Sequence, residues 1–178
     1  MLNDILYSTS VQKVLNFLLS HPEERFYDRE ISRLTNVGKA ATNYSLHTLM
    51  DAGLVEREKK GRMHFYYVIL DDPIIRQLKI TQNLVYIRPL VERLKQVSLK
   101  IILYGSSAIG TNHTESDIDL FVLSRTPEKA KGLIYKSSFR ERIQYVVNSP
   151  QDFVRLKKEN PAFHKQASTG IILYEAKQ

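Results

Sequence analysis

The chain has 178 residues, 43% of them hydrophobic and 25% charged, enough for one large domain or two small ones with real cores. Cysteine is absent, which excludes disulfides and thiolate metal sites, and the five histidines are scattered, with no pair at helical ligand spacing for zinc. A formal net charge of +7 favours a polyanionic partner, and the lack of a basic leader or a membrane-length apolar run predicts a soluble, cytoplasmic protein with no membrane association.

Residues 2–20 read as one amphipathic helix, with Leu2, Ile5, Leu6, Val14, Leu15, Leu18 and Leu19 returning at spacings of three and four. His21-Pro22 ends it. Asp28 is suited to N-cap a short helix carrying Ile31 and Leu34, and Asn36-Val37-Gly38 breaks that helix. Lys39–Asp51 reads as a second helix, with Ala40, Tyr44, Leu46 or His47, and Met50 at its period and Gly53 as its stop. Two strands follow, over residues 54–57 and 63–69, joined by the charged turn Glu58-Lys59-Lys60-Gly61-Arg62.

Helix, short helix, turn, helix and basic hairpin is the order of a winged helix-turn-helix. The stretch "REISRLTNVGKAATNYSLHTLMDAGLVEREKKGRMHFYYV" resembles that family as it occurs in small prokaryotic transcription regulators. The resemblance implies double-stranded DNA as a partner. Residues 39–51 would enter the major groove, presenting Lys39, Thr42, Asn43, Ser45 and His47. Arg57, Lys59, Lys60 and Arg62 would sit on the wing beside the phosphates. Such a fold also serves as a protein-interaction module, and Glu56 and Glu58 offset part of the wing's charge.

Asp71-Asp72-Pro73 marks a boundary. Residues 74–97 are helical in pattern, and Pro89 is expected to kink or split them. The apolar stripes on 2–20 and 74–97 look too extensive for two small domains to cover, which predicts a homodimer.

From residue 99 the pattern turns α/β. Strands are expected over 99–104, 118–123, 143–147 and 171–174, and helices over 127–135, 150–159 and 161–168. Within "YGSSAIGTNHTESDIDLFVL", Gly105-Ser106 follows an apolar strand, and Asp117 and Asp119 sit two apart at the start of the next. Strand residues two apart share a face, and two adjacent carboxylates call for a cation. A hard divalent ion, Mg²⁺ or Mn²⁺, suits them. A short helix over 107–110, opened by the glycine–serine turn, offers N–H groups and the Ser106 hydroxyl to a phosphate. Gly105, Ser106 and Ser107 are the candidate phosphate-binding residues, and Asp117 and Asp119 the candidate metal ligands and catalytic acids.

This stretch resembles the glycine–serine and Ser-Asp-x-Asp signature of the polymerase-β-like nucleotidyltransferases, above all the minimal members, over about residues 99–175. The resemblance implies a mixed sheet with flanking helices, a nucleoside triphosphate substrate, and attack of an acceptor hydroxyl on the α-phosphate. The chain departs from the pattern twice. Ile109 stands where minimal members carry arginine, and the strand "ERIQYVVNS" has Gln144 about where a third carboxylate is expected, with Glu141 just before it as the alternative acid.

The reading is an α+β chain: a winged helix-turn-helix over 1–70, a helical connector over 71–97, and a minimal nucleotidyltransferase domain over 98–178, a combination that resembles a type of prokaryotic, often archaeal, two-domain protein. Two functions stay open. One is metal-dependent nucleotidyl transfer from NTP to an acceptor, coupled to DNA binding. The other is a DNA-binding transcriptional regulator whose transferase-like domain senses a nucleotide or has lost its chemistry. The pair Asp117 and Asp119 supports the first, and Ile109 and Gln144 support the second.

Overall fold

The structure, a computed structural model, describes residues 2–177; Met1 and Gln178 lie outside the description. The chain divides into two compact units, one running to Val85 and including His113–Glu115, the other comprising Tyr86–Asn112 and the residues from Ser116 onward.

The first unit contains α1 (Leu2–Leu6), α2 (Ser10–Ser20), β1 (Phe26–Tyr27), α3 (Asp28–Thr35), α4 (Lys39–Asp51), β2 (Glu56–Lys60) and β3 (Met63–Tyr67). The single helix expected over 2–20 is two. The Thr9 hydroxyl accepts from the Gln12 N–H and the Gln12 side chain accepts from the Thr9 N–H, a capping box that starts a new helix where periodicity alone runs on. The N-cap of α3 is Tyr27 rather than Asp28; the Glu30 carboxylate accepts the Tyr27 N–H. Only Ile31 of the expected pair is buried there, and Leu34 is exposed.

The face of α4 is also corrected. Its buried residues are Thr42, Ser45, Leu46 and Leu49, whereas Ala40 and Tyr44 are exposed. Polar side chains can occupy the inward face because the helix itself satisfies them: Thr42 donates to the Val37 and Gly38 carbonyls, and Ser45 to that of Ala41. At the other end Gly53, at φ +69, lets its own N–H reach the Met50 carbonyl and the Leu54 N–H reach that of Leu49, the paired bonds of a Schellman stop.

The hairpin strands run further into the expected turn, pairing up to Lys60 with Met63 and leaving Gly61-Arg62 as the connection. The two-residue strand β1 adds to β3 through Phe26 and Tyr27, giving the order β1-β3-β2. The core joins Val14 and Leu18 of α2, Ile31, Leu46, Val55, Tyr66 and Ile75.

Helix α5 (Pro73–Leu94) is continuous through Pro89, contrary to the expected split. An internal proline costs about 3 kcal/mol. Ile87, Leu90, Val91 and Leu94 are all buried around it, each contributing roughly 1.5–3 kcal/mol, so burial outweighs the lost hydrogen bond. The helix expected as a connector divides between the units at Val85 and Tyr86. Ile75 and Ile87 on α5, like Val14 and Leu18 on α2, are buried within one chain, while Ile5 and Ile74 of the same stripes are exposed.

The second unit continues with β4 (Lys100–Tyr104), α6 (Gly105–Ile109), β5 (Ile118–Leu123), α7 (Pro127–Tyr135), a 3-10 turn at Arg140–Arg142, β6 (Ile143–Asn148), α8 (Pro150–Glu159), α9 (Pro161–Ser168) and β7 (Ile171–Glu175). Proline at the first position of α7, α8 and α9 starts each of them where no N–H is needed. The sheet order is β6-β5-β4-β7; β5 is antiparallel to β4 and parallel to β6, and β7 is antiparallel to β4. Phe153 and Leu156 of α8 and Phe163 and Ala167 of α9 pack on Ile102, Tyr104 and Phe121 of the sheet. Among the described residues no helix is long and apolar enough to cross a membrane.

Candidate active site

The site is built at one end of the second unit's sheet, where β4 finishes and β5 begins. Antiparallel pairing sets Tyr104 opposite Asp119, so the chain leaves β4 at Gly105 beside the second acid. Gly105 has φ +68, and a Cβ built there would lie 2.0 Å from Asp119 Oδ2. Both the left-handed backbone and the approach of the carboxylate therefore require glycine. The turn and the acid, far apart in sequence, are in contact.

Helix α6 begins at Gly105, two residues earlier than expected, and ends at Ile109, with Gly110 as its left-handed C-cap. Ser106 is half-buried and lines a cleft of about 390 Å³ together with Tyr104, Gly105, Ile109, Gln166 and Thr169. Ser107 is fully buried, so its hydroxyl faces inward from the cleft. Ile109 is 61% exposed on the cleft wall, where the resemblance leads one to expect arginine.

Asp117 is exposed and Asp119 half-buried. Burial, and secondarily the negative charge of Asp117, pushes the Asp119 carboxyl above the ordinary carboxylate range. The Tyr104 hydroxyl is pushed up to about 12 by burial and by Asp119, so it stays protonated at neutral pH. Two oxygen-donor side chains that repel each other match the chemistry of a hard divalent cation whose remaining ligands come from substrate phosphates and water. No group of three or more acidic or histidine side chains able to hold a metal occurs among the described residues.

The parallel pairing of β5 with β6 sets Gln144 in register with Asp119, and β6 contains no acid. Glu141 lies on the 3-10 turn just before β6 and is exposed. The expected DNA contacts of the first unit separate into two groups. Lys39, Asn43 and His47 on α4 and Arg57, Lys59, Lys60 and Arg62 on the hairpin are exposed, whereas Thr42 and Ser45 are fully buried and cannot reach a groove. Sequence periodicity does not mark this inward pair, because a hydroxyl residue is polar in sequence whichever way it faces. Nor does the sequence mark the cleft residues Gln166 and Thr169, since nothing local links the end of α9 to the glycine–serine turn.

A mixed four-stranded sheet with flanking helices, carrying a glycine–serine turn against an acid pair, is the arrangement of a nucleotidyltransferase domain. The family model described as "Polymerase beta, Nucleotidyltransferase" matches residues 86–178, just over half of the chain. The chain belongs to that family, whose members act on nucleotides and generally use divalent metal ions. No curated protein matches it.

Proposed function

We propose that the chain is a metal-dependent nucleotidyltransferase that takes an NTP as donor and carries a winged helix-turn-helix module for double-stranded DNA. The observation that carries the transferase reading is the contact between Gly105 and Asp119, which brings a phosphate-binding turn and a carboxylate to one point. Asp117 and Asp119 would hold Mg²⁺ or Mn²⁺, and a bound ion would neutralise the acid pair and the donor's phosphates. Gly105 allows a phosphate close to the backbone, and the Ser106 hydroxyl donates to it. The transfer forms a bond from the acceptor oxygen to the α-phosphorus and releases pyrophosphate, while the acceptor's proton leaves to a base. Gln144 cannot take that proton, which leaves Glu141 or solvent.

That same substitution supports the second reading, a regulator whose domain binds nucleotide with little turnover. The residue in register with Asp119 is an amide, where a third acid would serve catalysis.

The order of α2, α3 and α4 with the β2–β3 hairpin supports the DNA module, with Lys39, Asn43 and His47 on the helix and Arg57, Lys59, Lys60 and Arg62 on the wing. The domain limits 1–70, 71–97 and 98–178 belong to this proposal, with α5 shared by both units.

Calorimetry with NTP tests the site. Binding is expected to need a divalent ion and to be abolished in Asp117→Ala and Asp119→Ala; equal, metal-independent binding by all three proteins rejects it. Labelled NTP with Mg²⁺ or Mn²⁺ separates the readings by transfer of label onto protein or nucleic acid. For the DNA module, Lys60→Ala with Arg62→Ala should lower the slope of log affinity against log salt by about one for each phosphate no longer neutralised, and an unchanged slope rejects the wing as a phosphate-binding element.

A further inference from the structure

The charge that points to a polyanionic partner is not shared between the units. The first contains eleven Lys and Arg against eleven Asp and Glu, so its formal charge is zero. The second contains fifteen against eight, and the whole excess of +7 lies there. Local pairing deepens the contrast, since Glu58 on the hairpin is 3.0 Å from Arg25 and 3.6 Å from Lys60.

Part of the second unit's charge is interleaved with exposed aromatic rings. Tyr135, at the end of α7, is 57% exposed, and the Arg140 guanidinium lies 4.1 Å from its ring centroid. Phe139, next to Arg140 in the chain, meets Tyr86 edge-on at 5.1 Å, and Tyr86 is 42% exposed. Lys136 and Arg142 are exposed on the same connection, with Glu141 offsetting one charge. This connection leads directly into β6, whose first residues Ile143 and Gln144 pair with Ile118 and Asp119. The patch therefore sits at the acid end of the sheet.

Cations alternating with rings suit a ligand with regularly spaced anions and flat faces between them. A single-stranded nucleic acid has both: phosphates for Lys136 and Arg140, and unstacked bases for Tyr135 and Tyr86. A duplex hides its base faces, and an acidic peptide has none. We infer that the Tyr135–Arg140 surface, with Lys136 and Tyr86, docks single-stranded nucleic acid beside the nucleotidyltransferase site.

The test measures fluorescence anisotropy of a labelled oligonucleotide of about 15 nucleotides, as RNA and as DNA, with the full chain and with neither NTP nor metal present. The result therefore does not depend on the transfer reaction. Binding should weaken with salt by a log–log slope of about 0.7 per phosphate engaged. Tyr135→Ala and Arg140→Ala should each weaken it about tenfold. Lys136→Glu should weaken it and flatten the slope, while all three variants keep NTP binding. The hairpin variant Lys59→Ala with Lys60→Ala should lose less oligonucleotide affinity than any of these three. Absence of binding at low salt overturns the inference. So does a loss confined to the hairpin variant, or an acidic peptide that binds more tightly and loses affinity in the same three variants. The three side chains replaced are exposed, and wild-type melting temperatures in the variants would show that the oligonucleotide surface, and not the fold, has been altered.

Discussion

Asp119 on β5 and Gln144 on β6 are register partners across a parallel pair of strands. Paired residues in a sheet project to the same face, so the amide stands beside the half-buried acid, at the position where the proposed metal and proton site would take a further carboxylate.

Turnover should therefore be limited by residue 144. General-base assistance is worth about 10²- to 10⁴-fold in rate, and Gln144→Glu should recover part of that range. The measurement is initial rate of label transfer from NTP, compared with Glu141→Gln. If Glu141→Gln abolishes transfer and Gln144→Glu changes nothing, the 3-10 turn supplies the acid instead.

Gly105→Ala tests the close approach at the heart of the site. The added Cβ would meet Asp119 Oδ2 at 2.0 Å, on a backbone with φ +68. A loss of about 1–3 kcal/mol in stability is expected from the strain. NTP affinity should fall with it as the carboxylate is displaced. Urea unfolding and calorimetry read the two effects; wild-type values in both would mean that the turn relaxes freely.

Asp119→Asn should separate function from stability. The Asp119 pKa is raised, so its ionised form at neutral pH is less favourable in the folded chain than in the unfolded one. Its contribution to stability improves as pH falls through the raised value and levels off below the unfolded value. A neutral asparagine should therefore raise the melting temperature at pH 7. It should also abolish stabilisation by MgNTP, about 2.7 kcal/mol for wild type at a hundredfold excess over Kd. Thermal melts with and without MgNTP read both. A lower melting temperature in the variant would show that Asp119 supports the fold.

Lys79 gives a pH signature for the first unit. It is 1% exposed and donates to the Leu19 carbonyl at 2.8 Å. Burial lowers its pKa to about 8, partly opposed by Glu23. From about pH 8 to its ordinary value of 10.5 the unfolded chain holds a proton that the folded chain lacks, so stability should rise with pH across that window and be flat below it. The total gain should be roughly 1–3 kcal/mol. The difference in melting between wild type and Lys79→Met, followed from pH 7 to 10, isolates the effect. A fall in wild-type stability relative to the variant over that window would contradict it.

Much of the second unit could be read directly because its signals are local. Pro127, Pro150 and Pro161 start their helices by lacking an N–H, and the strand Ile118–Leu123 and the helices α7, α8 and α9 fall on the expected residues. The glycine–serine turn and the acid pair were visible because glycine and aspartate are chemically conspicuous beside apolar strands. In the first unit, α4 has the expected ends because the break at Gly38 and the Schellman stop at Gly53 are backbone properties of neighbouring residues.

Only the tertiary structure decided the rest. Strand β1 has two residues and exists because Phe26 and Tyr27 find Tyr66 and Phe65 across the sheet. Helix α5 survives Pro89 because its buried neighbours on both sides outweigh a local penalty. Thr42, Ser45 and Ser107 turn inward because their environment, not their polarity, sets their exposure. Gln144 meets Asp119, and Asp119 meets Gly105, through pairings between strands and turns distant along the chain. Local backbone preference marks where elements begin and end, whereas which residues face inward and which meet is set by non-local packing and strand register.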